Sequence, residues 1–210
     1  SGNTLCGPFV GKVMASALAM GESNACMKRI IAAPTAGACG VLPAVLVNYQ
    51  KEKGTADEQI VRALYTAAGI GQVVAARAYI AGASGGCQAE IGTASAMAAG
   101  ALTALGGGTP SQITHAAAMA LKNLLGLVCD PVGGLVEVPC VKRNVIGSVN
   151  ALSAADMALA GIISRIPPDQ VIDAMREVGD QMHPSLRETG QGGLANTPAA
   201  REWCAAQEEE

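Results

Sequence analysis

This chain has almost no rings with which to fill a core. Its aromatic residues are Phe9, Tyr49, Tyr65, Tyr79 and Trp203, only 2% of the sequence, although half of all residues are hydrophobic and 26 are glycine. Such a core must be filled by bringing backbones close together, which small residues on helix faces permit. The expected fold is therefore all-α, a compact Gly/Ala-rich bundle of many helices. At 210 residues the chain can bury one sizeable core.

The local patterns agree. No run of alternating β-branched and polar residues marks a strand. Thr55 with Glu58 reads as a capping box, followed by apolar positions Ile60, Val61, Leu64 and Ala68 at helical spacing. Thr109, Pro110 and Gln112 read as a second helix start. Helices are expected over 42–51, ending at Gly54, and over 145–163, stopped before Pro167-Pro168. A short amphipathic one is marked by Val171, Ile172, Met175 and Val178. The window 91–121 carries no charge but is broken by Gly106-Gly107-Gly108-Thr109-Pro110, so it reads as two buried helices and not as a membrane span. A helical domain over 1–195 and a C-terminal tail over 196–210 are expected.

Charge excludes one class of partner. With 17 acidic against 14 basic residues, and basic pairs such as Lys28-Arg29 and Lys142-Arg143 isolated, nothing here neutralises a run of phosphates, so no nucleic acid is expected. Seven cysteines without a visible secretory signal argue against a disulfide framework and for metal binding or catalysis in a reducing cytoplasm. The spacing of Cys87, Cys129 and Cys140 gives no CxxC pair, so a zinc ribbon is unsupported. Cys87 and Cys129 lie in Gly- or Pro-bearing loops at helix ends, and Cys140 follows Pro139; such loops let thiolates converge from distant segments. Cys6, Cys26 and Cys39 read as small hydrophobes.

Four stretches carry a resemblance. Ser1-Gly2-Asn3-Thr4, Ala33-Pro34-Thr35-Ala36-Gly37-Ala38, Ser84-Gly85-Gly86-Cys87-Gln88-Ala89-Glu90-Ile91-Gly92 and Cys129-Asp130-Pro131-Val132-Gly133-Gly134-Leu135-Val136-Glu137-Val138-Pro139-Cys140 together resemble the bacterial iron–sulfur L-serine dehydratases, in the same order and over most of the chain. The resemblance implies a helical catalytic domain that converts L-serine to pyruvate and ammonia. It implies a [4Fe–4S] cluster on Cys87, Cys129 and Cys140, with one iron left open as a Lewis acid for the substrate hydroxyl. It further implies a substrate-carboxylate site at Ser1, Asn3 and Thr4, with Thr35 and Ser84 as weaker candidates, and a regulatory β subunit or domain alongside a homo-oligomer. Family domains extend upstream of the Ser-Gly-Asn-Thr stretch, so a preceding segment is expected to be missing here. Some relatives end in a cysteine that reaches the open iron; Cys204, six residues from the end, is not given that role.

The general base stays open. By residue type the candidates are Lys122, His115, His183 and Glu90, with His115 and Lys122 seven residues apart on one helix face. Asp130 or Glu137 could meet the substrate ammonium or simply fix their loop. Three rival readings are a cluster lyase acting on L-cysteine, a non-catalytic helical module with inert cysteines, and a pyridoxal-phosphate enzyme. The last lacks the strands of its usual α/β folds.

Overall fold

The computed structural model describes residues 4–208, and the fold is all-α among them. Its centre is α5 (Thr93–Leu105), in which every residue from Thr93 to Thr103 is buried. A helix apolar on every side must be surrounded. Helices α2 (Val41–Lys53), α3 (Asp57–Arg77), α6 (Pro110–Lys122) and α7 (Cys140–Leu159) pack on it. Outside them, α1 (Gly7–Ala25) lies on α7 and α2, while α8 (Pro168–Gln181) lies on α6 and the four-residue α4 (Gly82–Gly85). None of the described helices is long and apolar enough to cross a membrane.

Small residues set the spacing, as the composition requires. A Cβ on Gly147 of α7 would sit 2.9 Å from Ile91 and 3.0 Å from Val41, and one on Gly21 of α1 would sit 3.1 Å from the Val141 backbone. Several polar groups inside are paired: the Ser95 hydroxyl donates to the Gly147 carbonyl, and Asn150 donates to Ser95 and to the Ala120 carbonyl, whereas the buried Thr93 hydroxyl has no partner.

The same packing corrects one reading of α3. Its buried face is Ala63, Ala67, Gly71 and Val74, whereas Val61 and Leu64 are exposed. Small residues make up most of this face, and where branched ones do meet α5 the partner is small, as where Ile70 lies over Gly100. The start of α3 also differs. Its N-cap is Ala56, with no capping bond from Thr55. The Thr55 N–H instead donates to the Gln50 carbonyl at the end of α2, where Gly54 closes the helix at φ +63°. At α6 the expected box is present, with the Thr109 hydroxyl accepting from the Gln112 N–H and the Gln112 side chain accepting from the Thr109 N–H. Thr109→Ala should therefore cost about 1 kcal/mol in urea denaturation, and Thr55→Ala less than about 0.5 kcal/mol.

Two further boundaries move. Helix α7 begins at Cys140, ahead of the expected 145, and ends at Leu159 before Gly161 at φ +87°, well short of Pro167. The stretch expected as a tail is helical over α9 (Pro198–Glu208), which packs on the short helical turns Val132–Gly134 and Gly193–Asn196.

Candidate functional site

Three loops meet where α5 and α7 begin. Cys87 follows Gly86, which adopts φ +77° with its α-carbon against Met182 and the Leu127 carbonyl, where a Cβ would clash. The chain then makes one wide π-helical turn, Gln88–Gly92, before α5. Such turns are frequent at functional sites. Buried Gln88 anchors it, its side chain donating to the Met175 carbonyl and accepting from the Gly126 N–H.

Cys129 is held through its own backbone. Its N–H donates to the Leu186 carbonyl at 2.8 Å, and its carbonyl accepts from the Glu188 N–H at 2.7 Å. The glycine-rich stretch after Pro184 is thus strapped to this cysteine. Cys140 is the first residue of α7, and the loop between them is closed by the Val132 N–H on the Val138 carbonyl.

Cys87 and Cys129 are buried, and their sulfurs lie with a Glu90 carboxylate oxygen in one group within 4.8 Å of one another. Cys140 is also buried but lies outside that 4.8 Å group, near enough for the charge of Cys87 to act on it. The three thiols perturb one another. The Cys129 thiol donates to Cys87 and, with the Arg143 guanidinium, pulls Cys87 below the usual thiol range despite its burial. The same hydrogen bond, then burial and the charge on Cys87, push Cys129 far up. Burial and the Cys87 charge push Cys140 up to about 12. Protein groups alone thus draw down the pKa of Cys87 only and raise those of the other two. A cationic inorganic centre is what would hold all three deprotonated, so the donor set fits one.

Glu90 is fixed against this group. The Thr35 hydroxyl donates to its carboxylate, and Gly37 and Gly82 lie where any Cβ would crowd it; on Gly82 a Cβ would also sit 2.8 Å from the Cys129 sulfur. Burial raises the Glu90 pKa, opposed by the Thr35 bond and reinforced by Glu188. Asn144 of α7 ties the Thr35 loop down, donating to the Gly37 carbonyl and accepting from the Gly40 N–H.

Other sequence candidates lie elsewhere. Lys122 donates to Ser164, His115 is half-buried on α6, and exposed His183 accepts from the Ser185 N–H to cap its own turn. Ser84 is exposed on α4, Thr4 is exposed and lies against Gly11, and Ser1 and Asn3 fall outside the described residues. Glu137 is exposed, its carbonyl accepting from the Val141 N–H, and Asp130 fixes loops, accepting from Arg143 and from the Leu194 N–H. Cys39 is buried with its thiol on the Met20 carbonyl, Cys6 and Cys26 are exposed, and Cys204 lies against Gly133; every cysteine is free. Sequence reasoning passed over Arg143 and Glu188; the only signal was their nearness to Cys140 and to a glycine-rich loop.

The family model for the serine dehydratase alpha chain matches residues 1–195. Similar proteins include a probable L-serine dehydratase alpha chain of Bacillus subtilis, 57% identical over 96% of this chain and 67% of the relative. Another, from Latilactobacillus sakei, is 58% identical over 87% of this chain and 88% of its own length. L-serine dehydratase TdcG of Escherichia coli is 47% identical over 85% of this chain, a match covering 40% of that longer protein. With three buried cysteines gathered at the ends of its central helices and the match running almost from end to end, the chain belongs to the serine dehydratase alpha chain family.

Proposed function

We propose that this chain is the catalytic alpha chain of an L-serine dehydratase that converts L-serine to pyruvate and ammonia, with a [4Fe–4S] cluster on Cys87, Cys129 and Cys140. The observation that carries the reading is the group of Cys87, Cys129 and Glu90, with buried Cys140 within reach of the charge of Cys87, in a chain whose relatives are named for this activity. When bound on three cysteines, such a cluster supplies an open Lewis-acidic iron that assists departure of the substrate hydroxyl.

The protein's own part falls to Glu90. Among the four base candidates it alone stands in the group of the cysteines, and Thr35 fixes its orientation. Its raised pKa brings it closer to the range in which a carboxylate exchanges protons with a carbon acid. We assign it removal of the Cα proton, with Lys122 and His115 kept as outlying candidates. Loss of that proton and of the β-hydroxyl yields aminoacrylate, which rearranges to an imine and hydrolyses in water to pyruvate and ammonia. Ser1, Asn3 and Thr4 remain the proposed binding stretch for the substrate carboxylate, and Ser84 is a rim position at most. The name alpha chain on the relatives supports a companion β chain, and seven free cysteines suit a reducing cytoplasm.

The test is iron and sulfide analysis of anaerobically reconstituted protein, with pyruvate measured against added L-serine. Bound iron and sulfide with serine-dependent pyruvate are expected. Colourless protein free of iron after reconstitution would leave the reaction without its centre. Glu90→Gln should retain iron and the Thr35 contact yet lose about 10²–10⁴-fold in kcat; unchanged kcat would return the role to Lys122 or His115.

A further inference from the structure

Arg143 is the one cationic residue among the buried described residues, 8% exposed. Burying a guanidinium costs several kcal/mol unless its donors are met. Here Nη1 donates to the Val128 carbonyl at 2.7 Å and Nη2 to the Asp130 carboxylate at 2.8 Å. These partners stand immediately on either side of Cys129. Arg143 itself lies one turn after Cys140 on α7, so one planar side chain spans two of the three cysteine segments. The grip extends outward, because the other Asp130 oxygen accepts from the Leu194 N–H at 2.8 Å. Gly193, at φ +59°, leaves room for that carboxylate where any Cβ would overlap it.

From this geometry we infer that Arg143 is the positioning residue of the cysteine site: its guanidinium clamps the Cys129 loop to the Cys140 helix and provides the buried positive charge that balances the cluster-bearing thiolates. The inference rests on the cluster reading above. A fork of donors is needed, because a lysine ammonium carries the charge but cannot hold two acceptors on opposite sides of Cys129 in one plane. A buried positive charge close to a cluster makes the cluster easier to reduce.

The experiment compares the wild-type chain, Arg143→Lys and Arg143→Gln after anaerobic reconstitution. Iron per chain, the rate at which a chelator strips it, and the midpoint potential under dithionite titration are measured, with far-UV circular dichroism as the check on folding. Arg143→Gln should show a more negative potential and lose iron at least tenfold faster than wild type. Arg143→Lys should keep a potential near that of wild type yet lose iron several-fold faster. Iron-loaded Arg143→Gln with the wild-type potential overturns the inference, whatever its stripping rate. Where Arg143→Gln takes up no iron or fails to fold, Arg143→Lys decides, and a wild-type stripping rate in it overturns the inference. A wild-type chain that takes up no iron refutes the cluster reading itself, which is a different result.

Discussion

Cys129→Ala should leave a folded protein that takes up no iron–sulfur centre and turns over no serine. The sulfur it removes lies within 4.8 Å of both Cys87 and Glu90. The backbone carrying it is held on both sides, by Leu186 and Glu188, and so cannot slide to offer another ligand. No other thiol can stand in. Cys39 points its sulfur at the Met20 carbonyl, and Cys204 lies against Gly133. Truncating one buried thiol to alanine costs on the order of 1 kcal/mol of packing, too little to unfold a domain of this size, so the loss is chemical. Cys87→Ala and Cys140→Ala should behave alike, because a centre with two protein ligands exchanges its iron with solvent. Cys26→Ala should change neither iron content nor rate, since Cys26 is exposed at the end of α1. Iron, sulfide and pyruvate measured side by side on the four variants decide the matter, and full iron with full turnover in Cys129→Ala would falsify the ligand assignment.

What could be read from the chain alone followed the range of the interactions involved. Gly54 and the Thr109–Gln112 box act within one turn, and both stand as the local pattern predicts. Thr55 did not cap α3 because its N–H was already committed to Gln50 of the preceding helix, a competition that a window starting at Thr55 does not contain. The inward face of α3 was misread for a related reason. Branched residues at helical spacing suggest a core face, but the face actually buried is Ala63, Ala67, Gly71 and Val74, leaving Val61 and Leu64 outside.

The site divides in the same way. Cys87 and Cys129 stood out because each lies in a Gly- or Pro-bearing loop at a helix end, and Glu90 by residue type as a candidate base, and these three residues do meet. Arg143 looked like half of an ordinary basic pair at a helix start. Only the path of residues 128–130 over α7 turns it into a buried clamp. His115 and Lys122 shared a helix face, as their spacing required, but spacing does not say toward which neighbour the face turns. Lys122 turns to Ser164.

Asn144→Ala should be the most damaging single change away from the cysteines. Asn144 is 1% exposed and joins two distant segments to α7. It accepts from the Gly40 N–H at 2.9 Å and donates to the Gly37 carbonyl at 2.8 Å and the Cys140 carbonyl at 3.0 Å. Alanine removes all three bonds. The Cys140 carbonyl keeps its helical partner, but the Gly40 N–H and the Gly37 carbonyl are left without one, at about 1–3 kcal/mol each. The expected loss is about 2–5 kcal/mol, or a fall in Tm of roughly 5–15 °C for a domain of this length. Asn144→Asp makes the test sharper. It preserves shape and the acceptor for Gly40, but aims a carboxylate at two carbonyl oxygens, so it should be at least as destabilising at neutral pH and recover in part once acid protonates it. The loop that Asn144 holds is also the one that carries Thr35 to Glu90. Both variants should therefore lose turnover at temperatures where they remain folded, and a Tm within 1 °C of wild type in Asn144→Ala would mean that the loop is held by something other than this side chain.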